Sequence, residues 1–161
     1  MITNPHVEPD EPKRIYPEYK FPKIEGSSNY ISGVGEYDAK SKDSAELGAR
    51  NKALKQLVKH KSLFVISVQE SYYEKVEVGY EMLINTKHMQ SVVSVLASVT
   101  IDSPLYQYKY YQLADGNYQV ICIAYKEVQT FFQETLSSEF DQDQINELLS
   151  IVIDAEFDNK N

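Results

Sequence analysis

Apolar and polar positions along the chain follow two periods, and their alternation predicts a mixed architecture. Residues 29–39, Asn-Tyr-Ile-Ser-Gly-Val-Gly-Glu-Tyr-Asp-Ala, predict a strand. Its Gly33 and Gly35 are two apart and share a face, as a closely packed helix requires. Residues 42–61 predict the clearest helix. Ala45, Ala49, Ala53 and Leu57 recur at four-residue steps, with Leu54 and Val58 beside them. Asp43 is the predicted N-cap, with Glu46 at the capping-box position. Glu46 and Arg50 form an i,i+4 pair. Lys52, Lys55, Lys59, His60 and Lys61 load the second half of this helix with positive charge. A basic binding face and a solvated face matched to the helix dipole both fit, and the second is favoured.

Further along, Phe64, Ile66 and Val68 alternate, so residues 62–78 predict a long strand. Residues 80–93 fit a helix weakly, and Val95, Ala97, Val99 and Ile101 predict a strand over 95–101, with Pro104 at a bulge or edge. Residues 105–126 predict a hairpin around Asp115-Gly116-Asn117, a strong turn signal. Its second arm, Tyr118 to Tyr125, is apolar on both faces, which places it centrally in the sheet. Cys122 lies there and is expected to be a buried small hydrophobe, not a nucleophile. Two helices close the chain. Residues 127–137 carry Val128, Phe131, Phe132 and Leu136. Residues 142–156 carry Ile145, Leu148, Leu149 and Val152, with Asp141 as N-cap and Gln144 at its box position.

The predicted fold class is α+β: a small antiparallel sheet packed against one long helix, with additional C-terminal helices. Three segments are expected. Residues 1–29 hold five of the six prolines and predict a flexible leader or tether. Residues 30–138 form the α+β domain. Residues 139–161 form an acidic helix and tail, with seven acidic residues and no basic one between Glu139 and Asp158. The apolar stripe of that helix packs on the parent domain or on a partner.

Charge and chemistry narrow the function. The net charge of −8 and only two arginines, Arg14 and Arg50, argue against nonspecific nucleic-acid binding. One cysteine excludes an internal disulfide and a multi-cysteine zinc site. The histidines His6, His60 and His88 show no ligand spacing. Gly33 and Gly35 imitate a dinucleotide fingerprint, but Asp38 stands where its third glycine belongs. No nucleophile elbow or phosphate loop is present. The expectation is therefore a protein that is not an enzyme, with no cofactor and no metal. The chain carries no secretory signal and no lipid-attachment cysteine at its start.

Tyrosine is the unusual feature, with thirteen residues and no tryptophan. Tyr106, Tyr108 and Tyr110 alternate along one strand face, with Tyr111 and Tyr118 nearby. These five are the candidate interaction face. Either a helix covers them, or they contact a protein, peptidoglycan or a second copy of the chain.

The order of these motifs resembles a known family. The strand Ile31-Ser-Gly-Val-Gly-Glu-Tyr leads into the helix Ala45-Glu-Leu-Gly-Ala-Arg-Asn-Lys-Ala-Leu-Lys-Gln-Leu57. Val-Ile-Ser-Val follows at 65–68, then Ser98-Val-Thr-Ile101, Tyr110-Tyr111, a turn and the 118–125 strand. Over about residues 30–135 this resembles the LPP-twenty lipoprotein family of bacteria, which is similar to the N-terminal domain of the flagellar protein FlgT. The SIMPL domain, with its own Gly-x-Gly strand and alanine-rich helix, is the weaker alternative. The resemblance implies a long helix on a small antiparallel sheet, no established catalytic residues, and a place at the outer membrane or in the periplasm. It also implies protein or envelope partners, self-association among them. Membrane attachment would run only through a lipid anchor absent from this chain. Lys40-Ser-Lys42 and the acidic C-terminal helix fall outside the pattern. The alternatives are a small-ligand or oligomeric binding module without a lipid anchor, and a cytoplasmic location.

Overall fold

A computed structural model describes residues 21–160. The elements are strand β1 (Tyr30–Ala39), helix α1 (Lys42–Glu77), helix α2 (Thr86–Ser98), strands β2 (Leu105–Gln112) and β3 (Tyr118–Glu127), and helices α3 (Val128–Leu136) and α4 (Gln142–Lys160). The three strands form an antiparallel sheet in the order β1-β3-β2, so β3 is central. The fold class is α+β.

The chain divides into two compact units. Among the described residues, one comprises 21–26, 32–59 and 104–125, and the other 27–31, 60–103 and 126–160. This differs from the expected split into a domain over 30–138 and a separate terminal helix. Residues 1–20 of the expected leader lie outside the described residues. The rest of that leader is packed chain. Phe21 and Ile24 are buried, and the Phe21 carbonyl accepts from the amides of Ile24 and Glu25 in a tight turn.

In the first unit, β2 and β3 are paired in one register from Leu105 against Tyr125 to Gln112 against Tyr118. The turn joining them closes as its sequence requires. Leu113 donates to the Asn117 carbonyl, the Asp115 carboxylate accepts from the Asn117 amide, and Gly116 takes φ 89°. Residues 42–59 of α1 lie directly on β1. A Cβ built on Gly33 would stand 2.4 Å from the Ala53 carbonyl oxygen, and one on Gly35 would stand 2.3 Å from that of Ala49. Strand and helix thus meet backbone to backbone, with Ala45, Ala49 and Ala53 fully buried between them.

The second unit is helical and includes residues 60–77 of α1. Those residues had the alternation of a strand, yet they continue the helix. Val65, Val68 and Tyr72, at helical spacing, are the buried apolar ones, while Ile66 is half exposed. Three alternating apolar positions fit either period, and no glycine or proline stops the helix between Gly48 and Glu77. The strand expected at 95–101 is likewise the end of α2 followed by irregular chain. Asn85 caps α2 by accepting from the His88 amide at 2.8 Å. The N-termini of α1 and α4 are also capped, whereas Glu127 gives α3 no side-chain cap. Ser41, not Asp43, caps α1 by accepting from the Ser44 amide. Asp141 and Gln144 form the reciprocal box expected at α4. On α4, Ile145, Leu148, Ile151 and Val152 are buried, so its stripe packs within its own chain. α3 packs against both α2 and α4, and Phe132 meets Phe64 at 5.9 Å.

Candidate functional site

The structure brings three of the five candidate tyrosines together. Tyr106, Tyr108 and Tyr110 stack along β2, with ring centroids 6.2 and 5.9 Å apart and near-parallel planes. Tyr118 pairs with Gln112 and shares their face at the hairpin end, whereas Tyr111 points to the opposite face. The three-ring row is flanked from within its own unit, and Tyr110 stays 41% exposed. Lys42 sits 4.5 Å from the Tyr110 ring, the Glu46 carboxylate accepts the Tyr110 hydroxyl proton in a hydrogen bond, and Arg50 lies 5.7 Å from the Tyr106 ring. Arg50 also contacts Glu46 at 3.6 Å.

The row forms because two repeats nearly coincide. A four-residue step along a helix rises about 6.0 Å. A two-residue step along a strand rises about 6.8 Å. Lys42, Glu46 and Arg50 therefore run along the row, Lys42 and Glu46 both meeting Tyr110 and Arg50 reaching Tyr106. Charges at i, i+4, i+8 facing tyrosines at j, j+2, j+4 was a signal present in the sequence, but it is legible only once the two elements are placed together.

Burial, then the hydrogen bond to Glu46 and the charge of that carboxylate, hold the Tyr110 hydroxyl well above the usual phenol range. Burial also raises Tyr108. Cys122 pairs with Tyr108 across the strands and is fully buried. Burial pushes its thiol up to about 11, against the smaller opposing effect of the Tyr108 hydrogen bond. A thiol kept protonated in this way is a weak nucleophile.

The other face of the sheet holds Gln119, fully buried, whose amide donates to Glu36 at 2.6 Å. Lys109 of that face reaches the Phe21 ring at 5.8 Å, so the turn at 21–26 lies against it. His88 rests edge-on against Phe140. Among the described residues, no group of three His, Cys, Asp or Glu is placed to hold a metal ion, and no helix is long and apolar enough to cross a membrane.

Two concave regions lie among the described residues of these units. In the second unit, a cleft of about 390 Å³ is lined by residues 28–30 and 127–129 with Leu149 and Val152. In the first unit, a groove of about 780 Å³ runs along β1, lined by residues 34–36 and by Lys52, Lys55, Val58 and Lys59 of α1. The lysines of this groove were expected to form a solvated face matched to the dipole of a helix ending at 61. With α1 continuing to Glu77, they stand mid-helix and complement no helix end. Lys61 has a separate role. It is buried, and its ammonium donates to the carbonyls of Ala97 and Val99 at the end of α2. Burial lowers its pKa.

Comparison with family models, with curated proteins and with solved structures found no match to this chain.

Proposed function

We propose that this chain is the folded part of a non-enzymatic bacterial cell-envelope protein, an outer-membrane lipoprotein that acts through protein contacts. The observation that supports this reading is the seat of α1 on β1 at Gly33 and Gly35. That junction joins the Gly-x-Gly strand and the Ala-Arg-x-x-Ala-Leu helix on which the resemblance to the LPP-twenty family rests. Membrane attachment in this reading comes from a lipid anchor outside these residues. The groove beside β1, bordered by Lys52, Lys55 and Lys59, supplies a surface for a partner.

Fractionation of the native protein in its source cells, with detergent phase partition and intact mass, tests the reading. A detergent-phase protein with added acyl mass is expected. A protein recovered with the soluble cytoplasmic fraction, without added mass, would move the weight to a small-ligand or oligomeric binding module. For that second reading, the 390 Å³ cleft of the helical unit is the supporting feature.

A further inference from the structure

We infer that α1 carries a self-complementary face by which two copies of this chain associate, their α1 helices lying side by side and antiparallel. This rests on the reading above that the domain works through protein contacts, and it names the partner as a second copy of the chain.

Charge along one side of α1 is sorted into blocks. Lys52, Lys55 and Lys59 come first, Leu63 and Ile66 follow, and Glu70, Glu74 and Glu77 end the helix. All of these side chains are exposed, Leu63 by 65% and Ile66 by 50%. They share one seam. Positions 52, 56, 59, 63, 66, 70, 73 and 77 advance in alternating steps of four and three residues, the spacing by which two helices pack along each other.

The helix by itself does not favour this order. Lys55 with Lys59, and Glu70 with Glu74, are like charges four residues apart, which repel. Three carboxylates in the last two turns oppose the helix dipole, which favours cations there. Among the described residues, no ion pair engages Lys55, Lys59, Glu70, Glu74 or Glu77, and Lys52 meets the Tyr37 ring at 5.4 Å.

A second copy satisfies every block at once. Across a twofold axis, a contact of residue i with residue j is repeated as j with i. Lys59 opposite Glu70, Lys55 opposite Glu74, Lys52 opposite Glu77 and Leu63 opposite Ile66 all share one midpoint, the peptide between Phe64 and Val65. A single axis at that peptide makes all four pairings, each of them twice. The apolar pair lies at the centre and the charges lie outside it, as in a standard interface. A parallel pair would set lysines against lysines. A partner of one charge sign would meet only one block.

The test uses the full chain in sedimentation equilibrium, where a concentration-dependent monomer–dimer equilibrium is expected. Lys55→Glu with Lys59→Glu, and separately Glu70→Lys with Glu74→Lys, should each weaken it about tenfold or more. The second variant lowers the net negative charge, so general repulsion does not explain its weakening. An equimolar mixture of the two should dimerise again, because every reversed charge then meets its opposite. Cross-linking of the parent chain with a carbodiimide tests the pairing without any substitution. Lys59 and Glu70 are about 16.5 Å apart along one helix, so an amide bond between them must join two copies. A chain that stays monomeric, a dimer that either variant leaves unchanged, a mixture that fails to recover, or cross-links only at other residues would each overturn the inference. Localisation is measured separately. A monomer that fractionates with the envelope loses only this dimer. A dimer recovered from the cytoplasm loses only the envelope reading.

Discussion

The hydroxyl of Tyr72 donates to the carbonyl of Ile84, and both residues are buried. The same peptide segment is held from a second side. The Glu147 carboxylate accepts from the amides of Leu83 at 2.8 Å and Ile84 at 3.1 Å. A loop with no regular hydrogen-bonding partners is thus satisfied by side chains of α1 and α4. Tyr72→Phe should leave the Ile84 carbonyl buried and unpaired, at about 1–3 kcal/mol. Urea unfolding reads this as a lower midpoint with an unchanged slope.

Glu147→Ala should act on the same loop with a different signature. The carboxylate bonds lie nearer the surface, so the loss should be smaller, about 1–2 kcal/mol. The diagnostic measurement is hydrogen exchange. Leu83 and Ile84 amides should lose protection while β3 amides keep theirs. Uniform loss across the chain would contradict the local role given to Glu147.

Gly33→Ala should be severe. The added methyl would meet the Leu57 amide nitrogen at 2.2 Å, and backbone cannot move aside as a side chain can. A loss of about 3 kcal/mol or more is expected. Gly79→Ala provides the contrast. Gly79 has φ 99° but nothing near its added carbon, so only backbone strain applies, about 1 kcal/mol. Thermal melts that rank the two variants in the opposite order would remove the close packing of α1 on β1.

Alkaline pH should expose the Tyr110–Glu46 contact. The Tyr110 hydroxyl is raised in the folded chain, so the protonated phenol is the form the fold favours. Its contribution is complete below the ordinary phenol pKa of about 10. It then declines as pH rises, because the unfolded chain releases the proton first. Tyr110→Phe should therefore show a shallower loss of melting temperature above about pH 10. Parallel curves for the parent and the variant would count against the contact.

Cys122 should be silent to thiol reagents at pH 8 in the folded protein and react fully in denaturant. Its complete burial and its raised pKa act in the same direction. Rapid native labelling, followed by absorbance of the released thiolate, would contradict its central position in the sheet.

Local signals in the sequence were reliable where a few neighbouring residues decide the structure. The box of Asp141 with Gln144, the Asp115-Gly116 turn and the glycine pair of β1 all act over fewer than five residues, and all are realised. The helix at 62–77 was not legible. Val65, Ile66 and Val68 are weak helix formers, and burial of Val65, Val68 and Tyr72 overrides their preference. The misplaced end of α1 also matched its lysines to a helix end that lies elsewhere. Asp43 was passed over as the cap because Ser41 stands two residues earlier with its hydroxyl free to turn back. Of the candidate face, the alternation of Tyr106, Tyr108 and Tyr110 was plain, but what flanks it depends on residues some 60 positions away.

The match between helix and strand steps behaves like a vernier. Each four-residue step along α1 slips against a two-residue step along β2 by the difference between the two rises, about 0.8 Å. Lys42 and Glu46 both meet Tyr110, and Arg50 meets Tyr106. A fourth rung would pair Leu54 with Pro104, a residue that neither stacks nor donates. The aromatic row is thus about as long as two unequal rulers allow, and its three rings fix how α1 is set along β2.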